Sequence, residues 1–311
     1  MRVLITDECH PIMQQLFREA GIDYDVDTCA TYESLMEHIG HYDALVVRSK
    51  IDIDRRFLDH APHLKCIGRL GAGMETIDVD YAEQLGIRCF NSPEGNRDAV
   101  GEHTVGMLLA LLNHIASADA EVRQGVWRRE ANRGLELGHR TVGIIGFGNM
   151  GTAFARRLQG FGCRILAYDK YLSHYAPENV EEVSLSQLQQ QCDVLSFHVP
   201  LTPETRHYFD STFLNQMAHP FYLVNTSRGA VVSTATLAEG IRSGKVLGAA
   251  LDVNEYENMT QDTLGQQTLE FRYLLQSPRL LFTPHVAGWT VESKEQLAAV
   301  LARKIITYLQ Q

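Results

Sequence analysis

The sequence predicts an α/β protein built from two units, each with a parallel sheet. Three observations carry that prediction. Short apolar runs alternate with helix-periodic segments from end to end, the pattern of strands joined by crossover helices. The alternation stops once, at a long helical stretch, and then restarts, so the chain holds two series. Its 311 residues also suit two cores at about 100–200 residues per domain.

In the first series, residues 3–6 read as a strand and 11–20 as a helix. Further strands are expected at 43–48, 64–70 and 87–91. A single helix is expected from 98 to about 122, with Val100, Thr104, Met107, Leu108, Leu111 and Leu112 at three-to-four spacing. A polar segment with Trp127, Arg128 and Arg129 follows. The second series places strands at 141–145, 164–168, 193–198, 222–226, 246–252 and 280–283, then a last helix from about 291 to 309. This series is long enough for a complete doubly wound sheet, and the first reads as a smaller α/β unit.

Hydrophobic residues make up 45% and charged residues 21% of the chain, the balance of a folded globular protein. A formal net charge of −10 disfavours nucleic acid and anionic membrane as partners. An anionic small molecule would need local arginines. Six cysteines, Cys9, Cys29, Cys66, Cys89, Cys163 and Cys192, form no C-x-x-C pair. They read as free thiols in a reducing compartment. The apolar stretch at the N-terminus is too short for a signal peptide, and no run is long enough for a membrane span. A cytoplasmic location is expected, and no metal site is read.

Gly146, Phe147, Gly148, Asn149, Met150 and Gly151 spell G-x-G-x-x-G between the strand at 141–145 and a helical pattern carrying Ala153, Phe154, Ala155 and Leu158. In that setting the first glycine permits a tight turn, the second admits a pyrophosphate, and the third lets helix pack on strand. Alone the motif is weak. Here the next strand ends in Asp169, at about the ~20-residue spacing of a ribose-binding carboxylate. Such a carboxylate repels a 2′-phosphate, so NAD is expected over NADP, although Lys170 stands beside it. The unit is therefore expected to be Rossmann-type.

Three further segments end strands of the second series: Asn225-Thr226-Ser227-Arg228-Gly229, Leu251 to Glu257, and Thr283-Pro284-His285 through Gly288. Ligands of open α/β sheets bind beyond the carboxyl ends of the strands. A histidine there can act as acid or base near neutrality, a carboxylate can orient it, and an arginine can clamp a carboxylate and polarise a carbonyl. Taken singly, Arg228 reads as a surface ion-pair partner, Glu257 as a loop acid and His285 as one of thirteen histidines. Their shared position after strands, beside the glycine motif, favours a catalytic reading.

On these residues the chain resembles the D-isomer-specific 2-hydroxyacid dehydrogenases. The resemblance covers nearly the whole sequence. Besides the glycine motif with Asp169 it rests on His198-Val199-Pro200-Leu201-Thr202, Asn225 to Ala230, Gly248 to Val253, and Thr283-Pro284-His285. It implies that Arg228, Glu257 and His285 are catalytic. It also implies that Thr226, Ser227, Asp252 and Gly288, with His198, Val199 and Pro200, border the cofactor. Asn258 stands where the family commonly has proline, so a differently shaped loop is expected after Glu257.

The family's architecture implies a discontinuous, flavodoxin-like substrate domain, 1–96 with 286–311, and an NAD domain at 97–285. The active site is then expected in a cleft and a homodimer contact through the long helix and the Trp127 segment. Within the family the chain resembles the branch acting on D-3-phosphoglycerate and phosphohydroxypyruvate, an activity of serine biosynthesis. Val46-Val47-Arg48-Ser49, the loop Arg69 to Gly73, and Asn91 to Asn96 carry that likeness. Arg48 and Arg69 are then phosphate ligands, backbone N–H groups around Gly71 and Gly73 cradle the carboxylate, and Ala72 and Asn96 also belong to the substrate site. Arg69 reads equally as a structural strand-end arginine. The chain stops after its last helix, so no regulatory C-terminal domain is expected. Glyoxylate or hydroxypyruvate reduction is the rival assignment, and an NAD-sensing co-repressor-like protein is the alternative of another class.

Overall fold

A computed structural model describes residues 1–258, 263–265 and 267–311. The chain divides into two compact units, Met1–Arg97 with Trp289–Gln311, and Asp98–Gly288.

The smaller unit carries five strands: β1 (Arg2–Ile5), β2 (Asp23–Val26), β3 (Ala44–Val47), β4 (Cys66–Arg69) and β5 (Arg88–Phe90). They are all parallel, in the order β2-β1-β3-β4-β5. The reversal falls between β1 and β3. Helices on both faces bury β3 completely, which is why it reads as an unbroken apolar run with no alternation. Leu45 and Val47 face a core with Phe57 and Leu35, and Ala44 and Val46 face one with Met13 and Phe17. The sequence pattern missed β2, whose Asp-Tyr-Asp-Val run has one neighbour and only partly buried side chains. Charges on an edge strand discourage further pairing, and they also erase the apolar signal.

The last helix, Val291–Leu309, returns to this unit. Thr290 and Ser293 form a reciprocal capping box at its start. Leu297, Leu301 and Ile305 bury in the Met13–Phe17 core.

The larger unit follows with β6 (Thr141–Ile145), β7 (Arg164–Tyr168), β8 (Glu181–Glu182), β9 (Val194–Phe197), β10 (Phe221–Asn225) and β11 (Val246–Leu251). A two-stranded ribbon, β12 (Glu257–Asn258) with β13 (Thr263–Leu264), precedes β14 (Leu280–Phe282). The main sheet runs β14-β11-β10-β9-β6-β7-β8. Its order reverses between β6 and β9, the topological switch point of a doubly wound sheet. One face is filled by Phe197, Phe209, Phe213 and Phe221, the other by Ile144, Phe154, Leu158 and Leu108. Most of the loop expected to differ after Glu257 lies outside the described residues; Glu257 and Asn258 themselves pair with Leu264 and Thr263.

The expected single helix from 98 to 122 is two helices, Arg97–Leu112 and Ile115–Arg123, bent by 60°. His114 sits in the left-handed region at φ 55° and starts the second. The first helix buries seven residues and the second none, so the apolar stripe ends where the direction changes. Among the described residues, no single helix is long and apolar enough to cross a membrane.

Candidate active site

The glycine turn after β6 forms a cradle. Gly146 takes φ +89°, and a Cβ on it would lie 2.6 Å from the His198 carbonyl oxygen. A Cβ on Gly151 would meet the Gly146 carbonyl oxygen at 2.1 Å, so neither position accepts a side chain. Gly148, by contrast, faces open space. It caps the helix Asn149–Leu158 without a side chain. The first-turn N–H groups of Asn149 and Met150 are of the kind that bind a pyrophosphate.

Asp169 closes β7 against this turn. Its Oδ2 accepts from the Phe147 N–H at 2.8 Å and its Oδ1 from those of Tyr171 and Leu172 at 2.9 and 3.2 Å. Three donors fix the carboxylate and leave acceptor capacity for a ribose hydroxyl. Lys170, the neighbour that weakened the NAD expectation, is paired with Glu204, which also accepts from the Tyr171 hydroxyl. These residues fit a dinucleotide with unmodified ribose.

The structure places the His198 side chain inward. Its Nε2 lies 2.8 Å from Ser196 Oγ and its ring packs on Phe154. Burial pushes it down to about 3, so the ring is neutral at physiological pH. Its main-chain carbonyl, not the imidazole, borders the glycine turn, with Val199 beside it. Pro200 accepts from Thr205 through its carbonyl oxygen.

Strand order brings the three chemical segments together, because β10, β11 and β14 are neighbours and Arg228, Glu257 and His285 follow them. The fully buried Asn225 organises the first loop: its Oδ1 accepts from the Ser227 N–H and hydroxyl, and its Nδ2 donates to the Arg228 carbonyl oxygen. Thr226 Oγ1 lies 3.1 Å from Thr104 Oγ1. Arg228 Nη1 donates to the Ser227 carbonyl oxygen at 2.7 Å, which orients the guanidinium.

His285 takes φ 56°, a left-handed conformation that a non-glycine residue holds only when its surroundings enforce it. Its N–H bonds to the carbonyl oxygens of Asp252 and Thr283 at 2.8 and 3.0 Å. Its Nδ1 lies 3.2 Å from Glu257 Oε1. The angle there is too poor for a hydrogen bond, so the pair is an electrostatic contact.

Asp252 is buried and clamps the loop that carries His285. Oδ1 accepts from the Thr283 hydroxyl at 2.6 Å and the Val286 N–H at 2.9 Å, and Oδ2 from the Ala287 N–H at 2.9 Å. The single Thr283 hydroxyl proton goes to Asp252. His103 Nε2, 3.1 Å from the Thr283 hydroxyl oxygen, is therefore the donor to it. Its signal lay outside any motif. A second histidine–carboxylate pair was also missed: His207 Nε2 lies 2.5 Å from Glu255 Oε1, and Glu255 Oε2 accepts the Thr234 N–H at a helix start. Gly288 is the last residue of the larger unit.

The remaining candidates lie on the smaller unit. Arg48 follows β3, and its guanidinium carbon sits 4.0 Å from the centre of the Trp289 ring. Arg69 donates through Nε to the Arg48 carbonyl oxygen at 3.2 Å. Its Nη1 fills the space beside Gly71. Ala72 accepts from Asn91 Nδ2 at 2.6 Å, which fixes the loop that continues through Gly73. Asn96 Oδ1 is buried without a hydrogen-bond partner among the described residues.

Residues 105–287 match the family described as D-isomer specific 2-hydroxyacid dehydrogenase, NAD binding domain. A D-3-phosphoglycerate dehydrogenase of Archaeoglobus fulgidus is 34% identical over 308 residues, 98% of this chain and 57% of that protein. The chain thus spans a little over half of that relative. A hydroxypyruvate reductase of Thermotoga maritima is 36% identical over 280 residues, 89% of this chain and 88% of that one. Among solved structures, a D-lactate dehydrogenase of Aquifex aeolicus, in complex with NAD and lactic acid, superposes with a TM-score of 0.85 at 26% identity, covering 100% of this chain and 96% of its own. The glycine cradle, the strand-end residues and these likenesses agree: the chain belongs to the D-isomer-specific 2-hydroxyacid dehydrogenase family.

Proposed function

We propose that this protein is an NAD-dependent oxidoreductase acting on C2 of a D-2-hydroxy acid, with Arg228, Glu257 and His285 as its catalytic residues. The observation that carries the reading is the His285–Glu257 pair, 3.2 Å apart, beyond the same sheet as the glycine cradle. With Nδ1 turned to the carboxylate, Nε2 remains for the substrate oxygen. His285 gives a proton to that oxygen when a 2-keto acid is reduced and takes it back when the alcohol is oxidised. Glu257 orients the ring and balances the imidazolium charge. Arg228 holds the substrate carboxylate and polarises the carbonyl. Bound nicotinamide supplies or accepts the hydride, and Asp169 favours NAD over NADP. Thr226, Ser227, Asp252 and Gly288 border the cofactor in this reading.

The substrate pair proposed first is D-3-phosphoglycerate and phosphohydroxypyruvate, held by Arg48, Arg69, the loop from Gly71 through Ala72 to Gly73, and Asn96. In support, a relative of matching sequence is named for it, and guanidinium groups suit a carboxylate-and-phosphate ligand. Hydroxypyruvate or glyoxylate is the competing substrate, supported by relatives so named. Exposed Ile115, Val122, Val126 and Trp127 support a homodimer contact at the bent helix, and free cysteines support a cytoplasmic location. The test is NADH oxidation with phosphohydroxypyruvate, hydroxypyruvate and glyoxylate side by side. The expected result is turnover with preference for the phosphorylated acid. Preference for an unphosphorylated one reassigns the substrate, and tight NADH binding without turnover of any refutes the enzyme.

A further inference from the structure

We propose that Trp289 is a positioning residue for substrate: its indole face holds the Arg48 guanidinium as a preformed receptor for an oxyanion on the smaller unit. The inference rests on the proposed dehydrogenase reading and deepens it by separating the roles of the two arginines.

Arg48 lies just beyond β3, at the reversal between β1 and β3. In this sheet order that is where a ligand is expected. Asp7, just beyond β1, accepts the Arg48 N–H at 2.9 Å and fixes the backbone there. The side chain is partly buried, and burial holds its pKa below the usual arginine value. Among the described residues no carboxylate forms an ion pair with it and no acceptor takes its guanidinium donors. Its neighbour is the Trp289 ring at 4.0 Å. A guanidinium stacked on an aromatic face keeps its in-plane N–H fork available, in the geometry that matches a carboxylate or phosphate bidentately. The nearby Asp7 charge offsets only part of the cost of burying this unpaired cation, and an anionic ligand on the guanidinium lowers it further.

Arg69 differs. Its Nε is committed to the Arg48 carbonyl oxygen, and its guanidinium packs against Gly71, so it braces the glycine loop. Trp289 is not explained by helix capping either. It precedes the N-cap Thr290, where an apolar residue usually packs on the fourth helical residue. That residue is Lys294, and Trp289 stays 59% exposed.

The test compares Trp289→Leu, which keeps apolar bulk without a π face, Trp289→Phe, and Arg48→Ala. With hydroxypyruvate and phosphohydroxypyruvate, Trp289→Leu is expected to raise KM about tenfold with kcat and NADH affinity little changed. Trp289→Phe should recover most of the loss, and adding Trp289→Leu to Arg48→Ala should cost little more. A second readout needs no turnover. The chain has two tryptophans, so Trp127→Phe leaves Trp289 as the only reporter. Its emission should respond to oxalate and to inorganic phosphate, and the response should vanish with Arg48→Ala. If the wild type lacks turnover but shows the Arg48-dependent response, the dehydrogenase reading fails and this one stands. Unchanged KM in Trp289→Leu, full additivity with Arg48→Ala, or an oxyanion response that survives Arg48→Ala overturns it.

Discussion

Replacing Asp252 by asparagine tests how the loop bearing His285 is held. The carboxylate accepts three hydrogen bonds, from the Thr283 hydroxyl, the Val286 N–H and the Ala287 N–H. Asparagine keeps the shape but offers one oxygen. In either amide orientation at least one backbone N–H then faces an amide donor. With the amide nitrogen toward Ala287, which is 2% exposed, water cannot take over, and an unsatisfied buried group costs about 1–3 kcal/mol. The two remaining bonds lose their charge assistance, which roughly halves each. The sum is about 2–5 kcal/mol, against a typical total of ~5–15 kcal/mol. At roughly 2–4 °C per kcal/mol for a unit of this size, thermal unfolding monitored by circular dichroism should move down by about 5–15 °C. His285 should lose its enforced φ, and kcat should fall. A melting temperature within about 1 °C of the wild type would show that the carboxylate does not clamp the loop.

Other substitutions probe the cofactor side. Asp169→Asn removes the charge while keeping an acceptor for Tyr171 and Leu172; the NADH-to-NADPH ratio of kcat/KM should fall on the order of tenfold, and an unchanged ratio would remove Asp169 from the ribose site. His198 is held near 3 by burial, whereas an unfolded histidine titrates near 6.5. Between those values the unfolded chain binds more protons, so folding stability should decline as pH falls through about 6.5 and level off near 3. His198→Phe should flatten that slope in urea unfolding at pH 7 and pH 5, and an undiminished slope would mean that other groups cause it.

The glycine turn was legible because its demands are local: a positive φ at Gly146 and a contact that excludes any side chain at Gly151 follow from a strand–turn–helix within a few residues. Asp169 was legible by spacing. Arg228, Glu257 and His285 were legible as residue types after strands, but the His285–Glu257 contact and the placement of the Arg228 loop after a neighbouring strand depend on the order β14-β11-β10, which no local pattern encodes. His103 was invisible for the same reason: it reaches Thr283 across 180 residues of sequence. The His198 imidazole is buried because the strand it follows lies inside the sheet and is buried along its whole length, a matter of strand order that the His-Val-Pro-Leu-Thr pattern does not reveal. Strand β2 escaped because edge position removes the need for apolar residues. The bend at His114 escaped because helical spacing continues past it in the letters while burial does not.

The proposed proton transfer by His285 is decided by measuring NADH affinity and steady-state turnover of His285→Ala on the same preparation. The expected result is wild-type NADH affinity with kcat reduced by about 10²–10⁴-fold. Equal loss of affinity and turnover, or turnover that survives, would contradict it.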